Sequence, residues 1–134
     1  QERFRNVNKA YYRDSHAALL VFDVTNHNSF TNIPAWYAQF QDQVGRPPNE
    51  LVTILVGNKS DCNTAVTINE IQNMVSQLGI SSYIQTSAKD GSRVDEMFEQ
   101  LLEKLLTHQY ASSGKGGIKL TNHDNNKSTK QGCC

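Results

Sequence analysis

Apolar residues fall into two kinds of run along the chain, and the two alternate. Ala17-Ala18-Leu19-Leu20-Val21-Phe22-Asp23-Val24 and Leu51-Val52-Thr53-Ile54-Leu55-Val56 are short, nearly unbroken apolar stretches rich in branched residues. Such runs predict strands covered on both faces, as in a parallel sheet. Tyr83-Ile84-Gln85-Thr86 predicts a third, shorter strand. Between them the period lengthens to that of a helix. Ile33, Trp36, Tyr37, Phe40 and Val44 predict one apolar face, with a start near Ser29 or Phe30, because Pro34 is tolerated only in a first turn. The aromatic positions of this stripe are expected in the core. Thr67-Ile68-Asn69-Glu70 predicts a capping box for a second helix with Ile68, Ile71, Val75 and Leu78 on one face, ended by Gly79. Val94, Met97, Phe98, Leu101, Leu102, Leu105 and Leu106 predict a long amphipathic last helix. Near the start, Val7 and Tyr11 are one helical turn apart and suit either a short helix or an exposed surface. Strands alternating with helices predict an α/β fold with parallel strands and right-handed crossovers.

From Ala111 the pattern ends. Ser, Gly, Asn, Lys and Thr dominate, with four lysines (Lys115, Lys119, Lys127, Lys130) against one aspartate (Asp124). Residues 1–110 are therefore read as the domain and 111–134 as a disordered, weakly basic tail. Length allows one domain and not two: the chain has 134 residues. Its 13 basic and 13 acidic residues balance, so no global basicity points to nucleic acid. No apolar run approaches the ~20 residues of a membrane span, and no signal-peptide pattern is present. Three cysteines, Cys62, Cys133 and Cys134, make no disulfide framework and suit a reducing, cytosolic setting. His27, His108 and His123 lack metal-ligand spacing, and His16 is expected to pack beside its strand.

The candidate chemistry sits where two strands end. Gly57 is expected to let the chain turn out of the sheet. Asn58, Lys59 and Asp61 then follow at the carboxyl end of the central strand, where open α/β sheets bind ligands. A carboxylate at Asp61 can accept from the two adjacent donors on the Watson–Crick edge of guanine, whereas adenine presents an acceptor there. Asn58 can bond the opposite edge of the base and brace the loop, and the stem of Lys59 can lie along the ring. Such residues are also ordinary turn formers. The third strand decides between the readings, because Ser87-Ala88-Lys89 follows it directly. Small Ala88 lets its N–H approach the guanine carbonyl, and Lys89 can cover the other face of the ring.

Asn58-Lys59-Ser60-Asp61 and Ser87-Ala88-Lys89 resemble the two guanine-recognition motifs of Ras-like small GTPases. Arg3-Phe4-Arg5, Tyr11-Tyr12-Arg13, Leu20–Thr25 and the terminal Cys133-Cys134 narrow the resemblance to the Rab family. The resemblance implies a P-loop NTPase-like three-layer fold whose first strands are not in this sequence. It implies a GTP/GDP switch that hydrolyses GTP with Mg2+, on the cytoplasmic face of an intracellular membrane or vesicle, with a soluble cytosolic pool, and regulating vesicle traffic. Gln1 matches the glutamine that orients the attacking water. Arg3, Phe4, Tyr11, Tyr12 and Arg13 match an effector-facing surface. Cys133 and Cys134 match a double-prenylation site; two lipids anchor stably where one is marginal, and a basic tail adds attraction to anionic lipid. The implied partners are an exchange factor, a GTPase-activating protein, a prenyl transferase with its escort protein, a GDP-dissociation inhibitor and effectors.

The sequence departs from the family in one respect. It contains no Gly-x-x-x-x-Gly-Lys-Ser/Thr phosphate loop, no switch I threonine and no Asp-x-x-Gly aspartate, and it begins with Gln1. Three expectations follow: a partial record of a Rab GTPase; a short Rab-like protein that holds only the guanine half-site and hydrolyses nothing; or another Ras-like GTPase class, against which Tyr11-Tyr12-Arg13 and Cys133-Cys134 argue.

Overall fold

The computed structural model describes residues 12–112. Gln1, Arg3, Phe4, Tyr11, Cys133 and Cys134 lie outside them. Three strands, β1 (Ala17–Asp23), β2 (Val52–Asn58) and β3 (Ser82–Thr86), form a parallel sheet in the order β1-β2-β3. Helices α1 (His27–Thr31) and α2 (Ile33–Val44) connect the first two strands, and a single 3-10 turn (Pro48–Glu50) leads into β2. Helix α3 (Ile68–Leu78) connects β2 to β3, and α4 (Val94–Ser112) follows β3.

β2 is central, and every residue from Val52 to Gly57 is buried. This is why its sequence does not alternate: both faces are covered. On one face Leu20, Phe22 and Leu55 pack with Ile33, Tyr37, Phe40 and Val44 of α2 and Ile71 of α3. On the other, Ile54, Val56 and Ile84 pack with Met97 and Leu101 of α4. The strand order steps in one direction, and both crossover helices lie on the same face, so the two crossovers share one hand. The result is the three-layer α/β/α arrangement that the resemblance implies.

Several local expectations need revision. The first helix is two helices, because Asn32 interrupts it and caps both. Asn26 caps the earlier one, its Oδ1 accepting from the backbone of Asn28 (3.0 Å) and Ser29 (3.4 Å). Trp36 is not in the core; it is 42% exposed, one position off the buried Ile33, Tyr37, Phe40, Val44 line. Ile68 also faces solvent, because it is the first residue of α3 and lies beyond the sheet. His16 is exposed, and only its carbonyl joins the sheet, accepting from Val52 N–H at 3.1 Å.

The capping box at Thr67 forms as expected. Thr67 Oγ1 accepts from Glu70 N–H, and Glu70 Oε2 accepts from Thr67 N–H at 2.8 Å. Glu70 also meets His27 Nε2 at 2.9 Å, which ties α3 to the start of α1.

Among the described strands β1 lies at the edge of the sheet. Leu20 and Phe22 point into the α2 face, so Leu19 and Val21 point to the α4 face, where α4 packs on β2 and β3. Val21 is 56% exposed as a result. Phe98, Leu102 and Leu106, spaced four apart along α4, are exposed too.

A candidate guanine-base site at the carboxyl ends of the strands

The register of the sheet assembles the site. Asp23 pairs with Asn58, and Asn58 pairs with Thr86, so the last residues of all three strands form one row. Each sequence-predicted base-site residue lies in that row or just beyond it.

The chain leaves β2 by a route other than the expected one. Gly57 does not make the turn; it is the penultimate residue of the strand. Its role is space, since a Cβ there would stand 2.7 Å from Tyr83 Oη and 2.9 Å from Val24 Cγ1. The turn falls instead on Lys59, whose φ of 69° lies in the left-handed region. That region is uncommon for a residue with a side chain. Ser60 N–H then donates to Thr86 O at 3.0 Å and Cys62 N–H to Lys59 O at 3.0 Å, which ties the loop to β3 and closes the turn.

Two contacts join the two motifs. Ser87 Oγ donates to Asp61 Oδ1 at 2.7 Å. Ala88 N–H donates to Asn58 Oδ1 at 3.0 Å. Ser87 is wholly buried, and its backbone is fixed by its N–H to Ser92 O and by Gly91 N–H to its own carbonyl. The bracing role expected of Asn58 is thus visible. The Ala88 N–H expected to meet a base carbonyl is satisfied by Asn58, and a base would have to share it.

Asp61 has further neighbours. Its Oδ2 lies 3.5 Å from Cys62 Sγ and 3.6 Å from Lys89 Nζ. The Ser87 hydroxyl, more than any other neighbour, holds its carboxyl below the usual range. At neutral pH it is therefore ionised and only accepts hydrogen bonds, which suits a partner offering two donors.

One residue of the site was not expected from the sequence. Asp23, the last residue of β1, places Oδ2 2.5 Å from Lys59 Nζ. Its other oxygen accepts from Thr25 N–H (2.9 Å) and Thr25 Oγ1 (2.7 Å). The Lys59 ammonium is the main reason its carboxyl is lowered to about 2. The sequence signal is slight: a lone carboxylate ends an otherwise apolar strand, and its alignment with Asn58 is set by the sheet register.

Of the residues matched to an effector surface, Tyr12 is half-buried, its ring edge-on to Phe40 with centroids 5.9 Å apart, and Arg13 is exposed. A cavity of about 680 Å3 lies at the opposite end of the sheet, between the amino ends of β2 and β3 and the last turns of α4, and none of the base-site residues lines it. Among the described residues no group of His, Cys, Asp or Glu side chains is arranged to hold a metal ion.

The arrangement gathers the polar groups of the two motifs at one end of the sheet. It offers an ionised carboxylate, a braced amide and two lysine stems, one reaching back to β1 and one extending from the loop after β3. Among known proteins, the sequence model of the Ras family matches residues 1–107. The Ras-related protein SEC4 of Saccharomyces cerevisiae is 36% identical over 141 residues, covering the whole chain and 64% of that protein. Rab-26 of Rattus norvegicus is 33% identical over 136 residues, covering the whole chain and 51% of that protein. RABE1e of Arabidopsis thaliana is 35% identical over 146 residues, covering the whole chain and 65% of that protein. The chain thus spans between half and two thirds of the length of these curated relatives. It belongs to the Ras family, and within that family to the Rab-like small GTPases.

Proposed function

We propose that this chain carries the guanine-selecting half of a GTP/GDP switch that hydrolyses GTP and regulates vesicle traffic from a membrane surface. The observation that supports it best is the Asp61–Ser87 contact. Two motifs from separate strands converge on one ionised carboxylate at the ligand-binding end of the sheet. Asn58, Lys59, Ala88 and Lys89 complete the base site around it.

Hydrolysis, magnesium binding and the role of Gln1 belong to the reading of the whole protein, as does the effector-facing surface at Arg3, Phe4, Tyr11, Tyr12 and Arg13. Phosphoryl transfer in such proteins relies on positioning and charge stabilisation around the phosphates. Prenylation at Cys133 and Cys134 and the exchange, activating and escort partners rest on the resemblance. A chain that binds guanine without hydrolysing nucleotide is the second reading.

The deciding experiment measures GDP, ADP and XDP binding to the full-length protein and to its Asp61→Asn variant. Wild type should prefer GDP over both competitors. The amide offers one acceptor in place of two, so Asp61→Asn should lose GDP and gain XDP, whose extra carbonyl accepts from the new amide. An unchanged preference for GDP in the variant would mean that Asp61 does not face the base.

A further inference from the structure

We infer that Asp23 is a positioning residue of the guanine site, holding the Lys59 side chain along the face where the base lies. The inference rests on the base-site reading above and adds a third strand to it.

Lys59 occupies a backbone position that Gly or Asn would fill with less strain, since its φ is 69°. A long cationic side chain at such a position is explained by what the side chain does. Unrestrained, the stem of a lysine samples many rotamers and loses them when it orders over a ligand. Here its ammonium is already tethered. It ends at Asp23 Oδ2, on the neighbouring strand, so the stem must run from the β2 loop back across the end of β1. The tether is itself held. Asp23 Oδ1 is occupied by the N–H and hydroxyl of Thr25. Its backbone N–H donates to Ser29 Oγ at 3.0 Å, and Ser29 Oγ donates in turn to the Asp23 carbonyl at 3.1 Å. The next residue, Val24, is bound to Asn58 O at 3.0 Å. Strand register, a side-chain turn and the first turn of α1 therefore all aim one carboxylate at one ammonium.

The two lysines of the site are tethered differently. Lys89 is far more exposed and lies 3.6 Å from Asp61, the group that reads the base. Lys59 is held by a carboxylate with no part in that reading. Asp23 thus orders one stacking stem without competing for the Watson–Crick edge. The contact also raises the pKa of the Lys59 ammonium.

The test is a double-mutant cycle on GDP binding to the full-length protein, using Asp23→Asn, Lys59→Ala and both together. Asp23→Asn should weaken GDP about three- to tenfold, the range expected for loss of one charge-assisted tether between partly exposed groups. In the Lys59→Ala background the same change should have no further effect, and Asp23→Glu should restore part of the loss. The GDP-to-XDP preference should not move, because Asp61 is untouched. Thr25→Val, which frees one side of the tether, should give a smaller loss in the same direction even where Asp23→Asn folds poorly. Additive losses, unchanged or tighter GDP binding in Asp23→Asn, or no effect of Thr25→Val would overturn the role of Asp23. Failure of the wild-type protein to prefer GDP over ADP would instead overturn the base-site reading itself, and the role of Asp23 with it.

Discussion

Asp61 Oδ1 and Ser87 Oγ lie 2.7 Å apart, joining loops that leave two different strands. The hydroxyl is buried and the carboxylate is mostly covered, so the contact fixes the plane in which Asp61 presents its lone pairs. Ser87→Ala removes this restraint while leaving the strand intact. GDP affinity should fall several-fold with the GDP-over-ADP preference retained, since the carboxylate is still present but less ordered. Calorimetric titration of both proteins measures it; equal affinities would mean that Ser87 serves only the fold.

Gly57 gives the next prediction. A methyl group there meets Tyr83 Oη at 2.7 Å and Val24 Cγ1 at 2.9 Å, both from buried packing around Phe22. Gly57→Ala should destabilise the domain by about 1–3 kcal/mol through overpacking rather than through backbone strain. Denaturant unfolding checks the size of the effect. A double variant, Gly57→Ala with Val24→Ala, should recover part of the loss if packing is the cause.

The same position shows what was legible in the sequence. The strand-helix alternation and the capping box follow from short-range patterns, and they appear where expected. Glycine is the usual residue for such a turn, which points to Gly57, yet the left-handed backbone falls on Lys59. Close approach of a neighbouring strand's side chain is not written in local sequence. Asp23 was missed for a related reason: its meaning comes from sheet register with Asn58, which single-sequence patterns do not contain. Helical spacing alone does not separate the centre of an apolar stripe from its flank, where Trp36 lies.

Acid sensitivity follows from Glu70. The His27 contact is the largest reason its carboxyl sits at about 2, below the ordinary 4.5, and the Thr67 bonds come next. The folded state therefore binds fewer protons than the unfolded chain between those values. Stability from this group is complete above about pH 4.5 and is lost as pH falls toward 2. Glu70→Gln keeps an oxygen for the capping box and removes the charge. Its unfolding free energy should fall less steeply than that of wild type between pH 4.5 and pH 2. Parallel slopes in circular-dichroism titrations of the two proteins would refute the assignment.

The tail yields a cellular prediction. Cys133 and Cys134 end a segment carrying four lysines and one aspartate. Replacing both with Ser should move the full-length protein from membrane to soluble fractions, because a weakly basic tail alone supplies little affinity. The single replacements should have intermediate effects, as expected when two lipids share the anchoring. Fractionation of cells expressing each version is the measurement, and undiminished membrane association of the double variant would exclude these thiols as the anchor.

The last prediction concerns the exposed apolar surface beside β1. Val21 on the strand and Phe98, Leu102 and Leu106 on α4 are exposed, and no other described residue covers them. A groove of about 420 Å3 runs along the same edge of β1, lined by Tyr12, Leu20, Val21, Ile33, Trp36 and Phe40 among others. β1 itself pairs only with β2 among the described strands, so one row of its backbone donors and acceptors is open. An apolar edge of this kind is a template for pairing with another chain. A polypeptide of just these 134 residues should therefore bind ANS and self-associate as concentration rises. It should retain little or no nucleotide through purification, because a base site alone lacks the phosphate contacts that dominate affinity in such proteins. Val21→Lys with Leu102→Glu should reduce both ANS binding and association without disturbing β2 or β3, since both side chains already face solvent. Size-exclusion chromatography with light scattering, ANS fluorescence and nucleotide extraction measure the three properties on one preparation. A monomer that binds no ANS would show that residues outside 12–112 cover this surface, and stoichiometric GDP in the extract would reveal a phosphate site elsewhere in the chain.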